Sequence, residues 1–220
     1  MSTYRYSALA YAAVRMWRGW TVVVPVVVFG AVVQAVLVGV ADGASESDGV
    51  REWVGVVAAA ASVLLAAVAF VVVAAVALSV ADGRVRWPAV LARLRAHGRN
   101  WIVWALAWAV VVGAAYVWWW VAAAAVAAVT PYLMLASLDG RGNALAANGR
   151  VIVRRPWRWL ATVAGTGVLS AIGFGAVGLT MFFLRGSLAA LLVWLVGGLV
   201  VTWITVAWGL IYRAVMDQAT

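Results

Sequence analysis

Long apolar stretches separated by short polar ones recur along this chain. Near-continuous apolar runs occupy 20–41, 53–81, 101–138, 159–183 and 187–212. About 20 apolar residues suffice for one helical crossing of a bilayer. Lipid offers backbone groups no partner, so a spanning segment must bond within a helix or a closed barrel. Uninterrupted runs of this length predict helices. The run 101–138 is too long for one crossing. As a single helix it would extend roughly 57 Å, nearly twice a hydrocarbon core. It is read as two spans, about 101–117 and 120–138, joined by a tight turn. The expected fold is therefore an all-α polytopic transmembrane helical bundle. Six spans, about 20–41, 53–81, 101–117, 120–138, 159–183 and 187–212, form a single integral membrane domain over 1–220.

The polar positions orient this bundle. With six crossings both termini fall on one side. That side then carries Arg5, Arg15, Arg18, Arg84, Arg86, Arg93, Arg95, Arg99, Arg141, Arg150, Arg154, Arg155, Arg158 and Arg213. Only Arg51 and Arg185 of the 16 basic residues lie opposite. The positive-inside rule puts both termini in the cytoplasm. A single crossing over 101–138 would export the arginines of 141–158 and erase the bias. Tyr116, Trp118, Trp119 and Trp120 suit an outer turn at headgroup level, and Trp17, Trp20, Trp53, Trp101, Trp157 and Trp159 flank spans similarly. The segment 42–52, with Asp42, Glu46, Asp48 and Glu52, reads as an acidic outer loop. Arg15 and Arg18 before a valine-rich run, with Gly39-Val40-Ala41 after it, also resemble a secretory signal. The run is longer than a signal core, so a retained first span is preferred.

Composition narrows the chemistry. Of 220 residues 67% are apolar and 10% charged, too few charges to cover a water-soluble fold of this size. The chain has no cysteine and one histidine, His97, which removes thiolate, disulfide and multi-histidine metal sites. No cofactor is implied. Every basic residue is arginine, and Ala and Val are abundant, a composition of high-GC bacterial genomes. The net charge of +9 is explained by topology, so nucleic acid is not an expected partner. The localisation that follows is a bacterial cytoplasmic membrane.

Three inner segments are informative. Residues 4–18 read as an interfacial helix with Leu9, Ala13, Met16 and Trp17 on one side. Residues 87–99 form a short amphipathic segment in which Trp87, Val90, Leu91 and Leu94 share a face. Pro88 suits its first turn. It either lies in the inner interface, with arginines on anionic headgroups, or docks a cytoplasmic partner such as a transporter ATPase. In 139–158, Gly140 and Gly142 allow a turn, 143–147 read as helical, and Asn148-Gly149 reads as a stop. Arg84, Arg86, Arg93, Arg95, Arg99, Arg154, Arg155 and Arg158 are the candidate contacts to lipid headgroups or a partner.

The interior offers little chemistry. All seven carboxylates fall in loops or at span ends, so carboxylate-coupled transport and general acid–base catalysis are disfavoured. Gln34 is either a bond between helices or an amide lining a pathway. Thr166 and Ser170 belong to a polar set in the fifth span, together with Thr162 and Thr180, that bonds back to its own helix or lines that pathway. Pro25 and Pro131 lie inside spans and either shape their helices or mark a gate. Gly173–Gly178 matches GxGxxG but sits in an apolar span without a βαβ context. Gly167, Ala171 and Gly175 form a small-residue stripe suited to close helix approach.

The stretch 131–165 contains an apolar span, a polar turn with Asn143-Ala144-Leu145, and Arg154-Arg155-Pro156 leading into the next span. It resembles the YesL-like family of small bacterial multi-pass membrane proteins, and 87–103 is similar to the arginine-rich inner helix of that family. The likeness covers about a quarter of the chain and includes no catalytic signature. It implies a transport-associated role. The expected function is a non-enzymatic membrane subunit whose inner arginines meet anionic lipid or a cytoplasmic partner. The alternative is a self-contained, homo-oligomeric channel or facilitator for a small uncharged or amphiphilic solute.

Overall fold

A computed structural model describes residues 8–42, 48–83, 85–97, 132–140, 143–183 and 186–217, with isolated positions between 100 and 114. Nearly all of these are helical and none lies in a strand. We number the described helices α1 (Ala8–Arg18), α2 (Trp20–Asp42), α3 (Asp48–Ala81), α4 (Trp87–Ala96), α5 (Leu133–Asp139), α6 (Ala144–Arg154), α7 (Pro156–Phe183) and α8 (Gly186–Met216). Within α2, α3 and α8, the segments Trp20–Val40, Trp53–Ala81 and Gly186–Met216 are long and apolar enough to cross a membrane. The chain is thus an all-helical protein with at least these three candidate spans. Most of the predicted third span, residues 120–131 of the fourth, and the aromatic turn at Tyr116 and Trp118–Trp120 lie outside the described residues.

Helix α8 is the hub. It packs on α1, α2, α3, α6 and α7. Two glycines on α8 set its close approaches. A Cβ on Gly198 would stand 2.9 Å from Val27 Cγ1 of α2, and one on Gly209 would stand 3.2 Å from the Ala77 carbonyl oxygen of α3. Between them Thr202 and Thr205 donate to the carbonyls of Gly198 and Val201, so their hydroxyls are satisfied within the helix. The stripe Gly167–Ala171–Gly175 behaves differently. No described side chain or backbone lies within contact of Gly167 or Gly175. Close packing uses the glycines of α8 instead, because α8 is surrounded.

The densest core lies toward one end of the bundle. Leu78, Val80, Val90, Tyr132, Leu135, Leu138, Val151, Val206 and Tyr212 are fully or almost fully buried there. Along the rest of the long helices large apolar side chains face outward, among them Phe29 at 67% and Trp53 at 73% exposure. So much open apolar surface would be untenable in water and suits lipid.

Several local expectations change. Helix α3 begins at Asp48, so 48–52 is helix rather than loop. Acidic residues at a helix start are favoured by its dipole. Helix α6 runs through Asn148-Gly149 to Arg154, so these residues do not stop it. Asn148 is buried, and its Oδ1 accepts from the Tyr132 N–H at 3.2 Å. That tertiary bond outweighs the intrinsic turn preference. The donor of Tyr132, which an unbroken helix would aim four residues back, is spent on Asn148, and α5 begins at Leu133. Of the predicted fourth span, the described residues 132–138 are thus one turn residue and the start of the short helix α5. In α1, Ala12 is buried, and of the side expected to carry Leu9, Ala13, Met16 and Trp17, Leu9 and Met16 are half-buried while Ala13 and Trp17 are exposed. Tyr11 and Arg15 satisfy one another, with Arg15 Nε and Nη2 donating to the Tyr11 hydroxyl at 2.9 and 2.6 Å. The pair can then be half-buried at little cost.

Candidate functional site

The ends of α3, α4, α5 and α8 meet in one charged cluster. The chain leaves α3 at Asp82 and turns at Gly83, whose φ of 73° suits glycine. Helix α4 then carries Arg93 back toward Asp82, and the two pair at 2.5 Å. Asp82 also receives Arg213 from the last turns of α8, with Nε–Oδ1 at 2.7 Å and Nη2–Oδ2 at 3.0 Å. Arg213 reaches onward to Asp139 at the end of α5, Nη1–Oδ1 2.7 Å. Tyr212 donates its hydroxyl to the other Asp139 oxygen at 3.1 Å. One guanidinium thus bridges two carboxylates from different helices. The Arg213 and Asp139 side chains are only 11% and 5% exposed. Two cations and two anions cancel, which is what a half-buried cluster requires.

His97 completes this end. Its ring fills the place where a Cβ on Gly140 would stand, and Gly140 has a φ of 68°. Residues 97 and 140, on either side of the long apolar run, are therefore neighbours. Deeper in, the rings of Tyr132 and Trp208 pack at 6.2 Å and 56°. The Tyr132 hydroxyl and Trp208 Nε1 are buried without hydrogen-bond partners.

The sequence candidates separate into three groups. Arg86, Arg95, Arg154 and Arg158 are exposed, Arg155 is half-buried, and Arg93 is held by Asp82. On α4, Val90 is fully buried and Leu94 half-buried, while Trp87 and Leu91 look outward at 38% and 42% exposure. The predicted apolar face is thus split between the bundle and the exterior. Gln34 is buried, with Nε2 donating to the Ser62 carbonyl at 3.1 Å and Oε1 accepting from the Ser62 hydroxyl at 2.6 Å. It joins α2 to α3. Pro25 is exposed within an α2 that continues past it. Thr166 and Ser170 lie on α7, their side chains outside the described set. Pro131, Arg84 and Arg99 also lie outside the described residues.

The residues missed by sequence reasoning are Asp82, Asp139, Tyr212 and Arg213. A signal was present. Each acid terminates an apolar helix, and Arg213 sits near the end of another assigned to the same side. Chemically the cluster fastens helices, and the exposed arginines around it offer cationic donors. Among the described residues no group of three or more His, Asp or Glu is placed to hold a metal. No protein-family model matches this chain, and no curated protein or solved structure is similar enough to it to count as a relative.

Proposed function

We propose that this protein is a non-enzymatic, six-span subunit of a bacterial cytoplasmic-membrane assembly, transport-associated in role, with both termini in the cytoplasm. Its exposed inner arginines engage anionic lipid or an acidic cytoplasmic partner. The observation that carries the topology in this reading is the packing of His97 against Gly140. A stretch that leaves and returns at the same end crosses an even number of times. The shared position of Asp82, Asp139 and Arg213 supports the same reading, since the six-span order puts all three on the inner side. The alternative of a solute pathway along Gln34 draws no support, because both polar atoms of its amide are already bonded to Ser62.

A chain without native cysteine is suited to accessibility mapping. Ser187→Cys should react with an impermeant maleimide from outside intact cells. Arg95→Cys and Arg150→Cys should react only after the membrane is opened. Labelling of Arg150→Cys from outside would overturn the topology. Purification in mild detergent should retain a partner that the triple variant Arg95→Glu, Arg150→Glu, Arg154→Glu releases. A monomer with no partner would overturn the subunit role.

A further inference from the structure

The α1–α2 elbow and the α3–α4 turn lie against each other. A Cβ on Gly19 would stand 2.5 Å from Val85 Cγ1, so the two connections touch at these residues. On either side of that contact the sequence places Trp17-Arg18 with Trp20, and Arg86-Trp87. All five side chains are exposed, Trp17 at 77% and Trp20 at 56%. A third guanidinium, that of Arg15, approaches Gly83 in the same turn. Asp82, which precedes Gly83 in this turn, is already taken by Arg93 and Arg213. Among the described residues no hydrogen bond or ion pair engages the side chain of Arg18 or Arg86, although the Arg86 carbonyl accepts from the N–H groups of Ala89 and Val90. The patch therefore combines uncompensated positive charge with three amphipathic rings.

We propose that this patch binds the headgroup of an anionic phospholipid from the inner leaflet. Guanidinium groups favour phosphate through charge-assisted, often bidentate hydrogen bonds. Exposed tryptophans settle where acyl chains meet headgroups. Basic groups beside apolar rings at this depth select anionic over zwitterionic lipid. The contact of Gly19 with Val85 brings the connections that carry Arg18 and Arg86 side by side, so both cations serve one patch. This proposal rests on the inner placement of both connections argued above and names the lipid as the ligand there.

The test is native mass spectrometry of the full chain in neutral detergent, titrated with phosphatidylglycerol, phosphatidylcholine or inorganic phosphate. Phosphatidylglycerol should bind preferentially, and Arg18→Gln with Arg86→Gln should weaken it about tenfold. The control pair Arg51→Gln with Arg185→Gln removes the same charge from the opposite side of the bundle and should leave affinity nearly unchanged. Equal loss in both pairs would overturn the site, since net charge alone would then explain binding. Equal binding of phosphatidylcholine would overturn the headgroup selectivity. Displacement of the lipid by inorganic phosphate at matching concentration would overturn the lipid as ligand in favour of a soluble anion. Maleimide labelling of Arg86→Cys from outside would instead locate the failure in the topology.

Discussion

At the scale of single residues, Arg213 carries the most. It is the shared partner of Asp82 and Asp139 in surroundings that screen charge poorly. Replacing it removes one cation and leaves two anions, of which Asp82 keeps Arg93 and Asp139 keeps the Tyr212 hydroxyl. Breaking a buried pair by deleting one partner typically costs about 3–5 kcal/mol. Arg213→Met should lower unfolding free energy in detergent by about 3 kcal/mol. Asp139→Asn in the same background should recover part of that loss, because it removes the stranded charge. A strictly additive double mutant would show that the two are not coupled. Tyr132 makes the opposite case. Its hydroxyl is buried without a partner, so Tyr132→Phe should leave stability unchanged or raise it by about 1 kcal/mol. A loss beyond about 1 kcal/mol in the same assay would reveal a bond to that oxygen.

At the scale of elements, the short helices depend on specific connections. Asn143 caps α6 by accepting from the Leu145 and Ala146 N–H groups at 2.9 and 3.4 Å. Asn148 of the same helix serves the start of α5. Gly140 joins these two helices with a left-handed backbone and no room for a side chain beside His97. Gly140→Ala should therefore destabilise the fold by about 2 kcal/mol, the sum of a strained φ and a displaced ring. His97→Ala should relieve only the steric part, which thermal unfolding of the double variant would resolve. The sequence made the long helices readable, since 20–41, 53–81 and 187–212 match α2, α3 and α8 within a few residues at most ends. It misjudged Asn148-Gly149 because a local turn signal cannot register a donor sixteen residues away. In α1, periodicity counts Tyr11 and Arg15 as polar and does not register the hydrogen bonds between them that let both be half-buried.

At the scale of the whole molecule, the division between lipid and protein was legible in the sequence. The cluster was less so. Charge bias assigned Asp82, Asp139 and Arg213 to one side but carried no information on which of them touch. That depends on the distance from span end to charge, and on α5 and α8 finishing at the same height. The exposed arginines were identified individually. The meeting of the two connections that carry Arg18 and Arg86 was not, because it arises from the contact of Gly19 with Val85. The bridging role of Arg213 also has a bearing on time. A chain entering a membrane from its amino terminus delivers Asp82 first, then Asp139, and the guanidinium that joins them only with the final helix. Until then Asp82 has only Arg93 as its ionic partner, so the joint between the ends of α3 and α5 closes in one late step.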